Sequence, residues 1–222
     1  MPSRRTWWIT GGAVAVVATA AIGGPLIVAA VAEDAPPAET VQAQPEEVEL
    51  AADTDGTWTI APSSTAGYRV DEVLNGADVT VAGVTDQVTG TVVVSDGDLA
   101  DADVTVDVAS ITTDSGRRDS YFRDNVMDVD ANPTATFSVI EVADLPEVTG
   151  TPVTVPVTGE LTLAGVTQQV QTEISVVRTA EGIDVSGSVP VTFDDYGIDP
   201  PNLGFVRVED QGAVEFLLHL AR

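Results

Sequence analysis

The sequence predicts an all-β body, a barrel or a sandwich of antiparallel strands, carried behind an apolar N-terminal segment and an acidic linker. Three observations carry this. From Trp58 onward, short segments of alternating apolar and polar residues follow one another, the period-2 signature of half-buried strands. Turn pairs separate them: Asn75-Gly76, Asp96-Gly97, Ala164-Gly165 and Glu181-Gly182, of which Asn75-Gly76 and Ala164-Gly165 suit tight hairpins. Val and Thr are abundant beside Gly 19 and Pro 13, a composition suited to pleated surfaces rather than helices.

The chain has 222 residues and a formal charge of −26, with 35 acids against 9 basic residues. All the basic residues are arginines. Such a chain is repelled by phosphate backbones, so nucleic acid is not an expected partner. With Cys 0, disulfides, thiolate metal sites and cysteine nucleophiles are excluded, and the redox compartment stays open.

Residues 1–32 read as a transmembrane anchor or an export signal. Arg4 and Arg5 precede Trp7–Ala32, which carries no charge; about 20 apolar residues suffice to cross a bilayer as a helix. The basic flank and the tryptophans place that end at the cytoplasmic interface. Length favours a retained anchor, whereas Ala30-Val31-Ala32 offers a small-x-small cleavage site before Glu33. Ser3-Arg4-Arg5-Thr6-Trp7-Trp8 is similar to a twin-arginine export signal. Each reading puts the rest of the chain outside the cytoplasm, as a single-pass membrane protein or secreted after cleavage near Ala32. Residues 33–56 then read as a linker, rich in acids and holding Pro36, Pro37 and Pro45 with no basic residue. Their charges repel and little apolar area is available, which predicts an extended tether.

Residues 57–222 form the β-domain. Tyr68 and Val70 share one strand face, Val88, Val92 and Val94 another, and Ala102, Val104, Val106 and Val108 a third. Phe137 and Val139 follow, then Val153, Val155, Val157, Gly159, Leu161 and Leu163. The later inward sets are Val170, Thr172, Ile174 and Val176; Ile183 through Phe193 at every second residue; and Val214, Phe216, Leu218 and Leu220. Long strands, up-and-down hairpins and the mid-strand glycines Gly90, Gly159 and Gly187 favour a closed barrel over a sandwich. An eight-stranded barrel has an interior that side chains fill or that holds one small ligand. Its inward residues here are nearly all apolar, so a guest would be apolar too. A filled core with no guest, as in a structural or adhesive domain, is the competing expectation.

The alternation breaks inside Asp107–Phe137. After Ser110-Ile111-Thr112-Thr113 come Arg117, Arg118, Tyr121, Phe122 and Arg123. Ser115 is placed to cap a short helix and Asn132-Pro133 to end the excursion. The prediction is a short helical flap over one end of the barrel. Its arginines either pair with Asp114, Asp119 or Asp124, or meet a polar or phosphate head group at the lumen mouth.

Little else points to chemistry. His219 is out of phase with its inward neighbours, so it should face solvent beside Glu215, and no nucleophilic site has a base. Asp128-Val129-Asp130-Ala131-Asn132 begins like a calcium loop but continues with Pro133 where the turn needs Gly. No metal and no cofactor are expected, and no catalytic residue is assigned.

Several motifs, in order, resemble one known family. Trp58-Thr59-Ile60, Gly67-Tyr68-Arg69-Val70 and Val88-Thr89-Gly90 begin the match. Val108-Ala109-Ser110-Ile111-Thr112-Thr113 with Arg118-Asp119 and Phe122 is similar to its "SI-T…RD" segment, and Asn132–Phe137 to its "P-x-x-F" strand. Val157–Thr167 is similar to the "G-x-LT-x-x-GVT" hairpin and Phe193–Ile198 to the "F-x-D-Y-G-I" turn. The chain thus resembles the YceI-like proteins, lipid- or polyisoprenoid-binding secreted bacterial barrels. Gln168-Gln169 stand where a basic residue is common in that family, and Asp71-Glu72 where a histidine often ends the first long strand. The resemblance implies a lipocalin-like eight-stranded antiparallel barrel, not an enzyme, whose lumen takes an isoprenoid-type tail. The lumen would be lined by Tyr68, Val70, Val92, Val106, Phe137, Leu161, Leu163, Ile174, Phe193, Phe216 and Leu218. The mouth would carry Arg117, Arg118, Tyr121, Phe122 and Arg123. The partners expected are a hydrophobic lipid and, through the N-terminal helix, a membrane.

Overall fold

The computed structural model describes residues 34–51 and 53–222. The anchor or signal expected at 1–32 lies outside the described residues, and among those described no helix is long and apolar enough to cross a membrane.

Among the described residues eleven strands form in chain order. They are β1 (Gly56–Ile60), β2 (Thr65–Leu74), β3 (Ala77–Thr85), β4 (Val88–Ser95), β5 (Asp98–Asp107) and β6 (Thr134–Val139). Then come β7 (Ala143–Asp144), β8 (Val153–Leu163), β9 (Val166–Arg178), β10 (Ile183–Thr192) and β11 (Val206–Ala221). The strands pair antiparallel in the order β1-β4-β5-β6-β8-β9-β10-β11-β2-β3, and β1 also pairs with β11, which closes the ring. The β1/β2 run pairs with the β4/β3 run on both sides of a bend, Gly56↔Val94 to Thr59↔Thr91 and Ala66↔Thr85 to Leu74↔Ala77. Each run is therefore one long bent stave. With β7 only a side pairing on β5, eight staves make the closed barrel that the sequence predicts.

The hairpins follow from local chemistry. Asn75-Gly76, Asp96-Gly97 and Ala164-Gly165 all have positive φ at both central residues, the type I′ turn whose twist matches that of the strands it joins. Mid-strand glycine has a different use. At Gly187 an added Cβ would lie 2.6 Å from Phe216 Cζ, and at Gly159 one would lie 2.3 Å from Phe137 Cζ. The two phenylalanines lie across these bare backbones. They pack against both apolar clusters of the interior, one at each end of the barrel.

The ends differ. The end bearing the β1 start and the 96–97 turn is a floor of buried apolar side chains, among them Trp58, Leu99, Val148, Ile183 and Leu220. The other end carries the excursion between β5 and β6. There Ser115 caps helix α1 (Gly116–Tyr121) by accepting from Arg118 N, as expected, and a wider turn over Phe122–Val126 follows.

Residues 34–51 correct the free-tether expectation. They take no helix or strand, yet they lie along the outer wall. Ala51 N donates to Thr179 O, Gln44 N to Gly150 O, and Ala35 N to Thr80 O, at 2.8, 2.7 and 2.9 Å. Val41 is 8% exposed, and its N–H donates to Ser186 Oγ at 3.1 Å. Backbone pairing to the barrel and one apolar anchor thus offset the charge repulsion that composition alone emphasises.

Candidate functional site

The interior holds a cavity of about 700 Å³, inside the range of about 300–1,000 Å³ for small-molecule sites. Its wall repeats the alternation of the strands. Tyr68 and Val70 reach it from β2, Val92 from β4, Val106 from β5, Phe137 from β6, and Leu161 and Leu163 from β8. Ile174 of β9, Phe193 just after β10, and Phe216 and Leu218 of β11 complete the predicted set, and every member lines the cavity. Val104, Val157, Val185 and Val189 join them from the same faces.

The opening lies at the flap end. The exposed lining residues, Asn75, Arg117, Leu203 and Phe205, all sit there. Those at the floor, such as Val94, Leu99 and Val148, are buried. The charged lining residues follow the same division: Glu72, Arg117 and Arg118 gather at the mouth with Asn75 and Ser115.

Arg118 organises that mouth. Its Nη2 lies 3.1 Å from Glu72 Oε1 and its Nη1 2.5 Å from Asp114 Oδ1. Burial acts to lower its pKa, but the two carboxylates outweigh burial and raise it. The next residue, Asp119, is buried and accepts from Thr113 N at 2.9 Å and Thr113 Oγ1 at 2.7 Å. The Arg-Asp pair therefore locks the flap in two directions, one toward β2 and one back on its own entry. Tyr68 stacks on Phe122, ring centroids 4.8 Å apart. Burial, aided by the nearby Asp119, Glu72 and Asp114 carboxylates and opposed by Arg118, pushes the Tyr68 hydroxyl up to about 12.

Three readings need adjustment. Arg117 and Tyr121 line the cavity with Arg118 and Phe122, but Arg123 does not; its Nη2 lies 3.4 Å from Ser120 Oγ. The helix opens into a wider turn at Phe122, with Met127 N donating to Phe122 O at 3.0 Å, and this changes the direction in which later side chains leave. Glu72, noted only with Asp71 as standing where a histidine often ends the first long strand, shares the inward phase of Tyr68 and Val70 and is buried. His219 is on the outer face but half-buried, Nδ1 2.9 Å from Asp184 Oδ1, while Glu215 pairs with Arg69. Among the described residues no group of three metal-ligating side chains gathers.

A closed antiparallel barrel around an apolar hollow, open at one polar-rimmed end, defines the class. The chain belongs to the YceI-like family: the model of the YceI-like domain matches residues 58–220. The fold is similar to a polyisoprenoid binding domain from Saccharophagus degradans implicated in plant cell wall breakdown. That match has TM-score 0.59 and 20% identity, and covers 78% of this chain and 99% of that one. It is also similar to BcnA of Burkholderia cenocepacia, TM-score 0.61 and 20% identity, over 73% of this chain and 99% of that one. Comparison with curated protein sequences finds no match.

Proposed function

We propose that the barrel binds one amphiphilic lipid of isoprenoid type, tail in the lumen and head group at the flap, and acts by sequestration. The observation that carries this is the apolar cavity of about 700 Å³ with its charged groups gathered at the flap end. A filled-core structural domain would not leave such a space. Each buried CH₂ contributes about 0.8 kcal/mol, so about ten buried carbons contribute on the order of 8 kcal/mol before ordering costs. Methylenes are alike to such a wall, which suits a carrier better than an enzyme. The isoprenoid class draws support from the Saccharophagus relative, described as polyisoprenoid binding. Location outside the cytoplasmic membrane, with Trp7–Ala32 as anchor or export signal, belongs to the same proposal and draws on the charge-free run behind Arg4 and Arg5.

The test is a titration of delipidated protein with a radiolabelled polyprenol and, separately, a straight-chain fatty acid. Saturation at one polyprenol per chain is expected, with weaker binding of the fatty acid. Absence of saturable binding of either lipid would sink the proposal.

A further inference from the structure

We propose that segment 34–51 is a strap that turns the open end of the barrel toward a lipid bilayer, so that the mouth docks on the membrane surface. The inference rests on the reading of Trp7–Ala32 as a retained bilayer anchor. It adds an orientation and a docking surface to that reading.

The route of the strap carries the argument. At the floor, Trp58 Nε1 donates to Thr54 O and Ala51 N to Thr179 O. From there the chain does not leave the molecule. It crosses the outer wall past Ser186 of β10, where Val41 is buried. It then passes Arg69 of β2, whose Nη2 donates to Pro36 O at 2.8 Å. It ends against β3, where Thr80 N donates to Asp34 Oδ1 at 3.0 Å and Ala35 N to Thr80 O at 2.9 Å. Thr80 opposes Asp71 in the β2–β3 hairpin, whose tip is Asn75-Gly76 at the mouth.

The consequence is one of reach. A free segment from residue 33 to β1 could span on the order of 80 Å at about 3.3–3.6 Å per residue, and the barrel would tumble. With the strap seated, only Glu33 separates Asp34 from the charge-free run, which holds Thr80 within about 10 Å of the bilayer surface and the hairpin tip, four residues along β3, within about 25 Å. Beside its polar groups the rim there carries an exposed apolar lip. Leu203 is 49% and Phe205 57% exposed, and Phe205 O accepts from Asn75 N at 2.8 Å, which ties this lip to the hairpin. Exposed apolar side chains at the entrance suit insertion into the interface between head groups and acyl chains. A chain of charge −26 would meet a neutral lipid surface more readily than an anionic one.

The absence of cysteine makes the test direct. Full-length chains carrying Leu203→Cys or Val142→Cys, the latter exposed near the floor, are labelled with a bimane fluorophore. They are then reconstituted in phosphatidylcholine vesicles containing brominated acyl chains. Large loss of emission at position 203 with none at 142 is expected. Equal quenching at both positions, or chains that wash off the vesicles, would overturn the inference. Replacing 34–51 by a Gly-Ser segment of equal length should make the two positions read alike; a surviving contrast would overturn the strap as its cause. Bound lipid is weighed in the same samples. Lipid present with equal quenching refutes the orientation alone, and contrast without lipid refutes the proposed cargo alone.

Discussion

Arg118 Nη2 sits 3.1 Å from Glu72 Oε1 across the mouth, with Glu72 only 4% exposed. This pair joins the flap to β2. Removing one partner of a buried pair is expensive because the other charge stays desolvated. Arg118→Met should therefore cost about 3 kcal/mol, the low end for a buried pair because Arg118 keeps some exposure. Glu72→Leu/Arg118→Met together should recover most of that loss. Urea unfolding of the single and double variants checks both; a single variant within about 0.5 kcal/mol of the parent would refute the role of the pair.

Tyr68 makes the fold sensitive to alkali. Its hydroxyl keeps its proton up to about 12 in the folded barrel, against about 10 unfolded. Between these values the unfolded chain binds fewer protons than the native one, so stability falls as pH rises. The contribution is fully present below pH 10 and lost through about 12, up to about 2–3 kcal/mol. Unfolding free energies of the parent should decline over that window, and those of Tyr68→Phe should decline less. Parallel curves would contradict the burial of this hydroxyl.

The strap should come away without opening the barrel. Val41→Asp sets a carboxylate in a buried site beside Ser186. Protease should then cut within 34–51, which resists it in the parent. Amide exchange at Gln44 and Ala51 should accelerate, and global stability should fall by no more than about 2 kcal/mol. A strap equally resistant in both proteins would mean that Val41 does not anchor it.

Ala164 occupies the first central position of its hairpin with φ +46°, a region that costs an L-residue with a plain Cβ. Asn is better suited there, as Asn75 in the β2–β3 turn illustrates. Ala164→Asn should raise stability by about 0.5–1 kcal/mol. Thermal unfolding reads the gain, and a lowered midpoint would contradict the type I′ assignment.

The lumen was legible because a closed barrel obeys period-2 alternation over whole strands: from Phe137 to Leu218, phase alone selects residues that line the cavity. The same phase pointed inward at Glu72. Its charge is compensated by a partner 46 positions on in the chain, and such a pairing leaves no local trace. Arg123 was grouped with the other flap arginines by sequence proximity, and the wider turn at Phe122 separates it from them. The strap was the largest departure. Its acids signal solvation, and Val41, Val48 and Leu50 are too sparse and aperiodic to mark a surface to cover.

The central claim is that the hollow holds a guest, and the mass of the intact protein under native conditions tests it most directly. The parent should carry a single apolar adduct, released by organic extraction, while Val104→Trp/Ile174→Trp, which fills the cavity from two facing strands, should carry none. A folded parent that stays at its bare-chain mass after incubation with polyprenol, or a filled variant that binds as well as the parent, would contradict the account.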